Sequence, residues 1–164
     1  MSEAWGKVII KASDEIHTNL AKDNRYVNEE TISQLLTYAG LMPSIDREMG
    51  FSIEGVQRKG NYVALDIFDG NWIELARNIS RNGKNIEIYA YVGDEYGTVV
   101  FCALNQDCSN IEYWYEQDGG DESCQDGFDE DAFYKEISDK KNKWLSLIPQ
   151  QVKNDFPDLL PEEN

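Results

Sequence analysis

The sequence predicts an α+β fold: a mostly antiparallel sheet of five to six strands with helices packed on one face, ferredoxin-like in spirit. Three observations lead there. Short runs with alternating apolar residues recur at hairpin spacing, segments with helical periodicity interrupt them, and 164 residues with 41% hydrophobic content supply one core. A single domain is therefore expected over residues 1–156, with an acidic loop at 117–128 and a frayed tail at 157–164.

The elements follow in order. "WGKVIIKA" (5–12) is rich in β-branched residues and reads as the first strand, and "SDEIHTNLA" opens a short helix capped by Ser13 or Asp14. In "NEETISQLLTYAG" (28–40), Ile32, Leu35, Leu36 and Ala39 share one face, acids fill the first turn and Gly40 ends the helix. "FSIEGVQRKGNYVALDIF" (51–68) reads as a hairpin turning at Lys59-Gly60-Asn61.

"NWIELARNISRNG" (71–83) sets Asn71 and Glu74 at capping-box spacing and puts Trp72, Leu75, Ala76 and Ile79 on one stripe. Three strand-like runs, 85–92, 97–104 and 109–116, then form a meander. A last long helix carries Phe133, Ile137, Trp144 and Ile148 at spacings of four, seven and four, and closes at Pro149. A short helical turn then stops at Pro157.

Charge is the unusual feature of the chain. The net charge is −16, and residues 85–134 carry 13 acids and no Lys or Arg, so −13 of it lies in fifty consecutive residues. Such a patch repels nucleic acid and anionic membrane and attracts cationic protein surfaces. The N-terminus lacks the form of a signal peptide and no run approaches a membrane span, so a cytoplasmic protein is expected. Cys102, Cys108 and Cys124, an odd number without a CxxC pair, read as reduced thiols, with a Cys102–Cys108 bridge as the alternative.

Constellations for catalysis are missing. His17 is the sole histidine and is read as a boundary residue beside Ile16 and Leu20; no GxSxG accompanies Ser13. One His and three scattered Cys do not make a zinc site, and no phosphate-binding glycine loop is present. An EF-hand frame with Gly127 at its sixth place puts Cys124 and Phe133 at ligand positions, so only an irregular calcium site stays open. No catalytic residue, metal or cofactor is assigned.

Asp129, Glu130 and Asp131 are explained by the helix they start. The strands before them are less easily explained. With Ile86, Ile88, Ala90 and Val92 toward the core, Glu87, Tyr89 and Tyr91 turn to the other side, and the last strand divides Tyr113 and Tyr115 from Glu112, Trp114 and Glu116. Acids interleaved with aromatic rings describe a binding face for something basic, because rings supply contact area while carboxylates steer a cationic partner.

The expected partner-binding set is Glu87, Tyr89, Tyr91, Asp94, Glu95, Glu112, Trp114 and Glu116, with Asp118, Asp121, Glu122 and Asp126 in the loop. The function that fits is a small acidic, non-enzymatic inhibitor of a cationic protein partner, a nuclease or nucleic-acid-binding complex, without direct nucleic-acid or membrane contact. In charge and size alone the chain is similar to nuclease immunity proteins and to DNA-mimicking anti-restriction and anti-CRISPR proteins. The alternatives are an immunity protein against a non-nuclease toxin, an acid-rich calcium-binding or hydrolytic domain, and an adaptor using its Trp and Tyr surface.

Overall fold

A computed structural model describes residues 3–22, 25–43, 50–105, 111–117, 127, 129–158 and 160–161. Six strands, β1 (Glu3–Lys11), β2 (Phe51–Lys59), β3 (Tyr62–Gly70), β4 (Glu87–Asp94), β5 (Val99–Asn105) and β6 (Ile111–Gln117), form one sheet in the order β2-β3-β1-β4-β5-β6. Every neighbouring pair is antiparallel. Among the described residues five helices accompany it: α1 (Asp14–Lys22), α2 (Glu29–Tyr38), α3 (Trp72–Asn82), α4 (Glu130–Leu147) and α5 (Gln150–Asp155). The α+β class and the antiparallel sheet are as the sequence predicts.

The helices, however, lie on both faces rather than one. Val8 and Ile10 of β1, Leu65 of β3, Ile88 and Ala90 of β4 and Cys102 of β5 pack with Ile16, Leu35, Trp72 and Ile79 of α1, α2 and α3. The intervening residues Ile9, Ala64, Tyr89, Phe101 and Ala103 pack with Trp144, Leu145 and Val152 of α4 and α5, and with Phe156. The physical reason is in the inner strands: "VII", "YVALDI", "YAYV" and "VVFCAL" are almost continuously apolar, as strands buried on both faces are. Such strands cannot leave one side to water.

Local chemistry sets the helix ends. Asn28 caps α2 by accepting from the Thr31 N–H at 2.8 Å, Asp129 caps α4 through the Ala132 N–H at 3.1 Å, and Ser13 accepts from the Ile16 N–H at 3.3 Å. Asn71 corrects the capping-box expectation for α3. At φ −88°, ψ 41° it lies outside the extended region from which a cap side chain reaches the first turn, and it makes no side-chain cap bond.

Two indoles pin helices to the sheet. Trp72 Nε1 donates to the Ser52 and Asp69 carbonyls at 3.1 and 3.0 Å, and Trp144 Nε1 donates to the Cys102 carbonyl at 2.6 Å. Beyond α5, Phe156 is buried and Leu160 packs against the second cluster. Among the described residues no helix is long and apolar enough to cross a membrane.

Candidate functional site

The strand β4 holds the first three residues of the expected site, and its side-chain alternation is as the sequence implies, with Ile88, Ala90 and Val92 opposite Tyr89 and Tyr91. The face that carries Glu87, Tyr89 and Tyr91 is nevertheless covered, because α4 and α5 return across it. Glu87 is 1% exposed and Tyr89 is fully buried. Tyr91 is half-buried and meets Trp144 edge-on, with ring centroids 5.4 Å apart.

Glu87 is the centre of a buried polar network. Its Oε2 accepts from the hydroxyls of Tyr62 (2.9 Å) and Tyr89 (3.0 Å), its Oε1 faces Lys11 Nζ at 3.4 Å, and Asn105 Nδ2 donates to the Tyr89 hydroxyl at 2.8 Å. Burial first, and then the neighbouring Glu87 carboxylate, raise the Tyr89 phenol far above its ordinary value. Burial also pushes Tyr91 up to about 12, helped by the Asp66 charge. The Tyr89 phenol is thus held neutral inside the fold, and buried Glu87 and Tyr89 are out of reach of a docking partner.

Glu112, Trp114 and Glu116 lie on the opposite face of the sheet. Across the meander Ala90 pairs with Cys102 and Cys102 with Trp114, whereas Tyr89 pairs with Ala103 and Ala103 with Tyr113. Paired residues share a face, so Trp114 belongs with the first cluster and Tyr113 and Tyr115 with the second. The expected single face of mixed acids and rings is thereby divided in two.

Cations from the helices meet these groups. Arg77 of α3 pairs with Glu116 and Glu74, and the Arg81 guanidinium lies 5.8 Å from the Trp114 ring centre. On the other face Lys140 and Lys143 of α4 lie 5.5 and 5.2 Å from the rings of Tyr115 and Tyr113.

What stays outward is smaller. Glu112 is exposed on the edge strand, and Glu95 is exposed at the tip of the β4–β5 hairpin. Asp94 shapes that tip by accepting from the Tyr96 and Thr98 N–H groups at 2.9 and 3.0 Å. Asp129, Glu130 and Asp131 are exposed at the start of α4. Asp118, Asp121, Glu122 and Asp126 lie outside the described residues, as do Cys108 and Cys124.

Sequence reasoning missed Trp5 and Phe68, which are 53% and 46% exposed on the sheet. It also placed His17 at a boundary, and the structure corrects this. His17 is buried, its Nε2 accepts from the Ala12 N–H at 2.9 Å, and its Nδ1 has no partner among the described residues.

Burial, reinforced by the Arg58 charge and opposed by Asp14, lowers the His17 pKa from 6.5. The native state thus favours neutral imidazole, and the stability this gives is present above pH 6.5 and lost as the pH falls toward the lower native value. Urea midpoints are expected to fall between pH 7.5 and pH 5, and His17→Gln should flatten part of that slope. An unchanged slope in the variant would refute the assignment.

Other chemistry is sparse. Cys102 is a buried free thiol that burial pushes up to about 11, so it is protonated and inert at neutral pH. Among the described residues no group of three or more His, Cys, Asp or Glu side chains is placed to hold a metal ion. No family model matches the chain, and neither a curated protein nor a solved structure matches it.

Proposed function

We propose that this protein is a small acidic, non-enzymatic inhibitor that acts in the cytoplasm and binds the basic, nucleic-acid-handling surface of a nuclease or defence complex. One observation carries the reading. Residues 85–134 hold 13 acids without a single base, while Arg77, Arg81, Lys140 and Lys143 beside them are turned onto Glu116 and the rings of β6. These four cations serve the fold, and the acids of 85–134 carry no cation of their own segment.

A nucleic-acid-binding protein spaces its Lys and Arg residues to meet phosphates, and an ordered anionic surface competes for the same groups. Because Tyr89 and Glu87 are buried, we assign the contacts to Glu95, Glu112, Asp129, Glu130 and Asp131, and to the acids Asp118, Asp121, Glu122 and Asp126, which lie outside the described residues. Attraction of this kind acts mainly on the association rate.

The test is inhibition of a panel of purified restriction and RNA-guided nucleases, with hen lysozyme as a cationic protein that handles no nucleic acid. Inhibition of a nuclease is expected, with association slowing on the order of tenfold from 50 to 300 mM NaCl. The triple variant Glu95→Lys/Glu112→Lys/Asp131→Lys should relieve it while keeping its circular dichroism. Inhibition indifferent to salt and to the triple change, or no inhibition across the panel, would refute the reading.

A further inference from the structure

The cover over the second face of the sheet ends at Tyr91 and Phe101, which meet Trp144 of α4. Two residues beyond Tyr91 on the same side of β4 is Gly93, which pairs with Trp5 on β1 and Val99 on β5. The Trp5 indole lies over this glycine: a Cβ at position 93 would stand 2.8 to 2.9 Å from its Cε2, Cζ2 and Nε1 atoms. The missing side chain makes a seat for the ring.

Phe68 flanks Trp5 on the other side. The β1–β3 register runs from Gly6 opposite Ile67 to Glu3 opposite Asp69, so Ala4 and Trp5 together stand against Phe68. Phe68 alternates with Ile67 of the first cluster and shares its side with Tyr62 and Ala64 of the second. The buried aromatic cluster thus continues into a pair of half-exposed rings with no helix of the described residues above them.

Charge decides what fits there. A second copy of a chain of charge −16 is opposed by like-charge repulsion. A cation is favoured for a further reason: the rings of Trp114, Tyr115 and Tyr113 each carry one from the protein's own helices. Among the described residues none lies over Trp5 or Phe68, and Lys7, the nearest cation along β1, is held by Asp66 at 2.6 Å.

We propose that the Trp5–Phe68 end of the sheet is a docking site for an arginine side chain of a basic protein partner, the guanidinium stacking on the rings, with the exposed Glu95 on the hairpin that follows Gly93. This rests on the proposed binding of a cationic partner and names where an anchoring residue of that partner sits. Arginine is preferred to lysine because its planar, weakly hydrated guanidinium stacks on aromatic faces.

The full-length protein would be titrated with nona-arginine and nona-lysine peptides at 150 mM NaCl by calorimetry and tryptophan emission. Nona-arginine is expected to bind about fivefold tighter and, in a Trp114→Phe background whose other indoles Trp72 and Trp144 are fully buried, to protect Trp5 from acrylamide. Trp5→Leu/Phe68→Leu, which keeps apolar volume but removes both rings, should weaken nona-arginine about tenfold and nona-lysine less than twofold. Glu95→Lys/Glu112→Lys/Asp131→Lys should weaken both peptides.

Equal affinity for the two peptides, or undiminished arginine binding by the leucine variant alongside weakened binding by the charge-reversal variant, overturns the docking site and leaves the acidic-surface reading standing. No binding of either peptide overturns both. Should the leucine variant unfold, the acrylamide measurement in the Trp114→Phe background decides: unchanged quenching on saturation with nona-arginine overturns the site.

Discussion

Gly6→Ala is expected to cost at least about 4 kcal/mol, among the largest effects a single methyl group can have. Gly6 has φ +142°, a region that costs an L-residue about 1–3 kcal/mol. A Cβ there would stand 2.0 Å from the Tyr91 carbonyl oxygen and 3.0 Å from the Val92 Cα. Both obstacles are backbone, so no side chain can rotate away.

Relief would require β1 and β4 to separate at the centre of the sheet, where Ala4 and Val8 bury their side chains. Gly55→Ala is the control, because its Cβ would meet nothing nearer than the Asp66 side chain at 4.0 Å, and it should change stability by less than about 0.5 kcal/mol. Urea unfolding of both variants checks the contrast; a Gly6→Ala midpoint close to wild type would show that the strand pair can open without loss. Gly6 also precedes Lys7 and follows Trp5, so the same crowded backbone sets the indole against Gly93.

Much of the fold could be read from local pattern. Helical stripes at 28–40 and 71–83 and the hairpin at 51–68 are signalled within windows of a dozen residues, and α2, α3 and the β2–β3 pair follow. The site was less legible, because its geometry depends on pairings between distant segments. Alternation along β4 is as the sequence implies, yet whether Tyr89 meets water depends on Trp144 of α4, 55 positions later.

A clue was present: Ile137, Trp144 and Ile148 form an apolar stripe that itself needs a face, and the continuous apolar runs of β3 and β5 offer one. The misplacement of Trp114 has a similar origin. Parity holds inside each strand but does not reach across the turns, and only the register Ala90, Cys102, Trp114 joins the faces. Trp5 was hidden for the same reason, since its seat is a glycine 88 positions away.

Glu87→Ala is expected to destabilise the protein by about 2–5 kcal/mol, chiefly by leaving two phenol hydroxyls without their acceptor, since Lys11 beside it is 32% exposed. The carboxylate accepts from Tyr62 and Tyr89 and faces Lys11, and it is itself out of water. Its removal strands the hydroxyls of Tyr62 and Tyr89, each at about 1–3 kcal/mol if no new partner forms, and leaves a cavity where the carboxylate stood.

Glu87→Gln separates charge from shape. The amide oxygen can still accept from the two phenols, while the attraction to Lys11 is lost, so a smaller cost of about 1–3 kcal/mol is expected. The network also predicts an alkaline limit. Because Tyr89 is raised above 10.0, the unfolded chain releases a proton there that the native state retains, so stability is present below pH 10 and declines as the pH rises past it. Urea midpoints at pH 7 for the three proteins, and for the wild type up to pH 11, test the scheme. Equal midpoints for Glu87→Ala and Glu87→Gln would mean that the two hydroxyls find other acceptors and that the network does not tie β1, β3 and β4 together.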